Sequence, residues 1–192
     1  MPAGPRTTAR QRTLRRGSCY GARMRRPLFA DAYEHHVWAT LRSIDACVAL
    51  TPEQLAAPIP GTYGPILDTM RHLVGADSSY LSLQTDGRVA LVETDHLDLP
   101  QLREAMEGNG AGWSWLLTQD LDPDSVVVRH REDGSESHAP MGVRLAQALH
   151  HGTDHRSQIC TALTTLGVEP PAIDVWDYAD QDGRLLEIPA PP

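Results

Sequence analysis

A chain of 192 residues is long enough for one domain with a sizeable core, and 41% hydrophobic against 22% charged residues is an ordinary globular composition. No apolar run approaches the roughly 20 residues that a bilayer span needs, which argues against a membrane protein. Residues 1–26 carry eight arginines and no acid, whereas the remainder sets nine arginines against 25 Asp and Glu, a balance of −16 that repels phosphate backbones and speaks against nucleic-acid binding by the folded part.

The basic leader contains Pro, Gly and Thr but no apolar period, so it is predicted to be disordered. It lacks the apolar stretch of a secretory signal, and an Arg-rich, acid-free arm is also similar to a transit peptide. Met24, just before the first patterned helix, is the expected start, which makes residues 1–26 an over-extended or functionless leader. Cys19, Cys47 and Cys160 form an odd set without C-x-x-C spacing, which points away from a disulfide framework and towards a reducing cytoplasm.

In "PLFADAYEHHVWATLRSIDACVAL", Ala30, Tyr33, Val37, Leu41, Ile44 and Val48 recur at helical spacing and predict one apolar stripe. "LTPEQL" follows, where Thr51 and Gln54 read as a capping box opening a short helical turn. After the Pro- and Gly-rich loop "PIPGTYGP", a second long helix is expected from Pro65 to about Gln84, with Ile66, Met70, Leu73, Asp77 and Tyr80 on one face. A third should run from about Leu99 to Thr118, where "GNGAG" costs about 1 kcal/mol per glycine and predicts a break or kink. Val126–Val128, Asp133-Gly134 and a polar return read as a small hairpin. A fourth long helix spans about Met141 to Leu166, closed by Gly167 with Pro170-Pro171 beyond. The remainder reads as mostly irregular. Four long helices and one hairpin point to an all-α chain, an antiparallel bundle over residues 27–180 with a C-terminal tail at 181–192.

The chemistry concentrates in "HGTDHRSQI", residues 151–159. His151 and His155 are four apart and so share a helix face, with Cβ atoms about 5–6 Å apart. That face continues through Ala148, Ile159 and Ala162, so both imidazoles are expected to look inward. A buried imidazole needs a hydrogen-bond partner or a metal, and this helix alone fits either. A metal would need a third ligand from another helix. His72, in "DTMRHLVGAD", is the natural candidate, with Asp68 one turn earlier placed to accept the proton of its far nitrogen. The same spacing fits a surface histidine at the stripe edge. His36 is a lesser candidate for an extra ligand; His96, His130 and His138 are expected to be solvated. Residue 152 is Gly, so the glutamate base of the H-E-x-x-H zinc-protease helix is missing.

Four stretches together resemble one family: "YEHHVWATLRSIDACVALTPEQL", "GTYGPILDTMRHLVGADSSYL", "LHHGTDHRSQICTALTTLGVEPP" and "IDVWDY". They are similar to the DinB-like superfamily, bacterial four-helix bundles with a three-histidine metal site, and the resemblance covers most of residues 27–180. It implies metal ligation by His72, His151 and His155, a divalent transition metal such as zinc or nickel, a homodimer, and thiol-dependent S-transfer or isomerisation with a low-molecular-weight thiol. Many members have His where Asp154 stands and Gly where Ser157 stands, and neither is a ligand position.

Three neutral imidazoles leave a bound ion its full double charge and at least one open position. A thiol or water entering there loses its proton near neutral pH without a dedicated side-chain base. The expected function is therefore a metal-dependent transferase with a small thiol as nucleophile and a small molecule as substrate. Its rivals are a metal-dependent hydrolase and a non-catalytic metal-binding stress-response protein.

Overall fold

A computed structural model describes residues 26–190. The basic leader, apart from Arg26, lies outside the described residues, as does Cys19. The chain is mostly helical with one small antiparallel hairpin: α1 (Ala30–Cys47), α2 (Pro52–Leu55), α3 (Ile66–Gln84), α4 (Leu99–Leu117), β1 (Val126–His130), β2 (Glu136–Pro140), α5 (Met141–Thr165) and α6 (Val175–Gln181). Among the described residues no helix is long and apolar enough to cross a membrane.

Local chemistry sets the boundaries. Thr51 and Gln54 form the expected capping box on α2, and Asp98 with Gln101 forms another on α4, each side chain accepting from the backbone N–H three residues on. Gly167 takes a positive φ of 75° just past α5, where a side chain would be strained. In the hairpin Val126 faces Pro140 and His130 faces Glu136, with Gly134 at φ 82° in the turn. Arg144 of α5 donates to the carbonyls of Val127 and Ser137, which ties both strands to that helix.

The four long helices pack in a closed ring, α1 against α4 and α5, and α3 against α4 and α5. Two apolar clusters fill it. One gathers Ile44, Met70, Leu73, Leu102, Met106, Ile159 and Leu163. The other gathers Tyr33, Leu81, Trp113, Leu116, Leu145 and Ala148. On every long helix a stretch lies between the members of the two clusters, and there the buried residues are mostly polar: His36 and Thr40, Asp77, Asn109, His155 and Arg156.

Three sequence expectations are corrected. The α1 stripe is rotated: Val37 and Leu41 are only half-buried and Val48 is exposed, whereas His36, Thr40 and Ser43 face the centre. Polar residues take that face because each is satisfied there, Thr40 donating to the His36 carbonyl and Ser43 to that of Ala39. The "GNGAG" stretch does not break α4, because two of its glycines are contact surfaces. A Cβ on Gly112 would meet Leu81 at 2.5 Å, and one on Gly110 would meet Val37 at 2.9 Å. Finally, the stretch after Pro171, expected to be mostly irregular, contains α6, whose N-cap Asp174 and third residue Asp177 form a capping box and whose Tyr178 is buried and donates to Glu34.

Gly108, in the same helix, is exposed with open space where a Cβ would stand. Gly108→Ala is therefore expected to raise stability by about 0.5–1 kcal/mol, and Gly112→Ala to lower it by about 1–3 kcal/mol. Urea denaturation of the two variants checks the opposite signs.

Candidate metal centre

His72 comes from the middle of α3, and His151 and His155 from successive turns of α5, the helix packed beside it. The structure brings all three together: one ring nitrogen of each lies within 4.8 Å of the others. Nε2 of His72 stands 3.1 Å from Nε2 of His151. Two nitrogens on one tetrahedral ion, each at about 2.0–2.1 Å from it, are about 3.3 Å apart, so this spacing suits a shared divalent ion. The donor set of three imidazoles fits zinc, nickel, iron and copper alike.

The surroundings favour the neutral form of the His72 and His151 rings. Burial, and then the neighbouring His155 and His72, push His151 down to about 4. His72 is lowered by burial first and by His155 second. Protons therefore compete poorly for these nitrogens at neutral pH.

The orientation of His155 is fixed by a neighbour that sequence reading left without a role. Nδ1 of His155 lies 3.1 Å from Oε1 of Gln158, and the same oxygen accepts from the backbone N–H of Tyr63 at 3.0 Å. A backbone N–H only donates, so that atom is the amide oxygen and His155 must donate from Nδ1. Its Nε2 lone pair is left free for an ion, the arrangement that outer partners impose on ligating histidines. Tyr63 also stacks on His72, ring centroids 4.2 Å apart and planes 15° from parallel. Asp68 does not take the role expected of it. Its carboxylate pairs with Arg71 at 3.5 Å, because one turn along the exposed edge of α3 brings it to that guanidinium.

His36 is no part of the triad. It is 1% exposed and sits in a buried chain that draws at least one residue from each long helix. Arg156 donates to Nδ1 of His36 at 3.0 Å and to Thr40 at 3.1 Å. Since arginine only donates, His36 accepts at Nδ1 and donates from Nε2 to Asp77 at 2.9 Å. Asp77 also accepts from Nε1 of Trp113, at 3.1 and 3.0 Å to its two oxygens. Burial lowers Arg156 to about 10, which leaves it charged at neutral pH, with Asp77 as the opposing charge. Gly152 has a local cause as well: a Cβ there would lie 2.3 Å from Cε1 of His36. The position that carries glutamate in H-E-x-x-H is filled by the neighbouring ring.

The other histidines behave as solvated or structural groups. His35 meets the Ile173 carbonyl, His130 and His138 share the Glu136 carboxylate, and His96 and His150 are exposed. Cys47 is buried and Cys160 half-buried, both as free thiols.

A mostly helical chain with three convergent imidazoles at the edge of its core defines a helical protein with a candidate metal site. The DinB family model matches residues 24–187, and the chain belongs to that family. No curated protein matches the sequence.

Gly152→Ala is expected to cost about 1–3 kcal/mol by overpacking against His36, and Asp77→Ala about 3–5 kcal/mol by leaving Arg156 buried without its counter-charge. Denaturant midpoints measured on metal-free protein check both; equal stability to the parent chain would remove the buried chain as a determinant of the fold.

Proposed function

We propose that this chain is a metal-dependent transferase in which His72, His151 and His155 hold a divalent transition metal, zinc or nickel, and a low-molecular-weight thiol is the nucleophile. The observation that carries the reading is the convergence of three imidazole nitrogens within 4.8 Å, two of the rings also lining an open cavity. Bound there, the ion supplies its full double charge and an open position, which lowers the pKa of a thiol that reaches it. The chain's own residues do the rest. Gln158 holds His155 in the ligating tautomer, Tyr63 covers His72, and Gly152 lets α5 lie close enough to His36 to keep the two α5 histidines in register.

The reading takes the ring of α1, α3, α4 and α5 to be an antiparallel four-helix bundle of DinB-like type spanning residues 27–180. It also takes the protein to be a cytoplasmic homodimer acting on a small molecule, with no nucleic-acid partner. The acidic balance of the chain beyond residue 26 supports the last point.

Elemental analysis of protein purified without a nickel column is expected to find about one divalent ion per chain. His72→Ala, His151→Ala and His155→Ala should each abolish tight binding, and Gln158→Ala should weaken it by about 10–100-fold. A chelator should stop consumption of thiol against an electrophile. Product analysis separates the reactions: a thioether adduct is the transferase outcome, and a hydrolysed electrophile would replace it with hydrolysis. Chelation that lowers the melting temperature without changing any turnover would leave a non-catalytic metal protein.

A further inference from the structure

Cavities open beside the core among the described residues. One, about 550 Å³, lies between α1 and α4 among Tyr33, Val37, Trp38 and Trp113, and another, about 350 Å³, lies among His35, His36, Leu149 and Arg156; none of His72, His151 and His155 lines either. A further one, about 340 Å³, has His72 and His151 in its wall and falls in the size range of small-molecule sites. Its remaining wall comes from α3, from the loop before α4 and from β1.

That loop is fixed to α3. The Val92 N–H donates to Oγ of Ser78 at 2.9 Å, and Oγ1 of Thr94 donates to the Arg71 carbonyl at 2.9 Å. Gly75 makes the approach possible, since a Cβ there would lie 2.4 Å from Oγ1 of Thr94. The anchoring residues alternate with Glu93 and Asp95, and both carboxylates line the cavity. The same cavity is lined by Arg129 of β1, in the hairpin that Arg144 ties to α5. Among the described residues Arg129, Glu93 and Asp95 have neither an ion-pair nor a hydrogen-bond partner. Arg71, the other guanidinium in the wall, is engaged by the Leu97 carbonyl and Asp68. Charges of both signs thus line one cavity together with two of the histidines, and the fold makes no ion pair of them.

We propose that this cavity binds a small ligand carrying both a carboxylate and an ammonium group, Arg129 taking the carboxylate and Glu93 and Asp95 the ammonium. This rests on the reading of the three histidines as the metal site beside it and defines the substrate class of that site as a zwitterionic, amino-acid-like thiol. Charge-assisted pairing of each end gives orientation as well as affinity, and loss of either end leaves a charged wall unmatched.

Calorimetric titration of the metal-loaded full chain with two probe series tests the proposal. The thiol series is homocysteine, 3-mercaptopropylamine and 4-mercaptobutanoate. The thioether series is methionine, 3-(methylthio)propylamine and 4-(methylthio)butanoate, which keeps the same charges but has no proton to lose from sulfur. The zwitterion of each series is expected to bind at least about tenfold more tightly than either truncated analogue. Arg129→Ala should bring the zwitterion to the level of the amine, and Glu93→Gln with Asp95→Asn should bring it to the level of the carboxylate. All three side chains are exposed, and unchanged melting curves will show that the variants fold. A preference for the zwitterion in the thioether series alone upholds the cavity and removes the thiol reading of the metal site. Equal binding of all three probes in both series, no binding in either, or a preference that survives Arg129→Ala overturns the proposal.

Discussion

The fold depends on how a charge pair is accommodated at the middle of the helical ring. Asp77 and Arg156 are 2% and 3% exposed, and the ring of His36 stands between them, donating to one and accepting from the other. Isolated, either charge would cost several kcal/mol to bury, about what a well-packed apolar layer would have contributed in its place. Here Trp113 and Thr40 fill the remaining hydrogen-bonding capacity, so the four long helices meet in a nearly satisfied polar layer between two apolar clusters. Apolar contacts alone tolerate sliding of one helix past another. A donor–acceptor chain with at least one member per helix does not, because a shift of one residue would misplace every hydrogen bond in it.

That constraint reaches the candidate site through α5. His151, Gly152, His155 and Arg156 occupy little more than one helical turn. Arg156 locks its turn to α1, and Gly152 removes the side chain that would keep His36 away. The same backbone then carries His151 and His155 to the side where α3 supplies His72. Three candidate ligands from two helices need a defined register between those helices, and Asp77, about one and a half turns along α3 from His72, supplies it.

Much of this was legible in the sequence, for identifiable reasons. Long helices opened by Pro or a capping box, and in α3 and α5 followed by a Gly, signal themselves locally, and the predicted limits fall within a residue or two of α3, α4 and α5. The pair His151 and His155 followed from the period of the helix. What escaped is what depends on a partner from elsewhere. An apolar stripe was read on α1, yet its buried face is built from His36, Thr40 and Ser43, whose burial is affordable only because Asp77 and Arg156 lie opposite. Glycines in α4 read as weakness because their packing neighbours, Leu81 and Val37, are distant in sequence. Gln158 stood in the quoted motif, but its role needs Tyr63, ninety-five positions away. α6 has a single buried anchor in seven residues, too few to show a period.

The charge arrangement also bears on how a candidate site of three imidazoles would work in an acidic chain. Any carboxylate among the ligands would spend part of an ion's charge before a substrate arrived. Asp77, the buried carboxylate whose field reaches His151, is instead committed to His36 and Trp113 and balanced by Arg156. Glu93 and Asp95 line the cavity from a loop anchored by Ser78 and Arg71, and neither belongs to the three-histidine group. An ion held by His72, His151 and His155 would then present its charge to whatever enters the cavity, and these two acids would act on the entering molecule instead of on the ion. Neutral candidate ligands and an interior carboxylate already neutralised by its own partners are thus two parts of one electrostatic arrangement, and both are fixed by contacts that the helices make with one another.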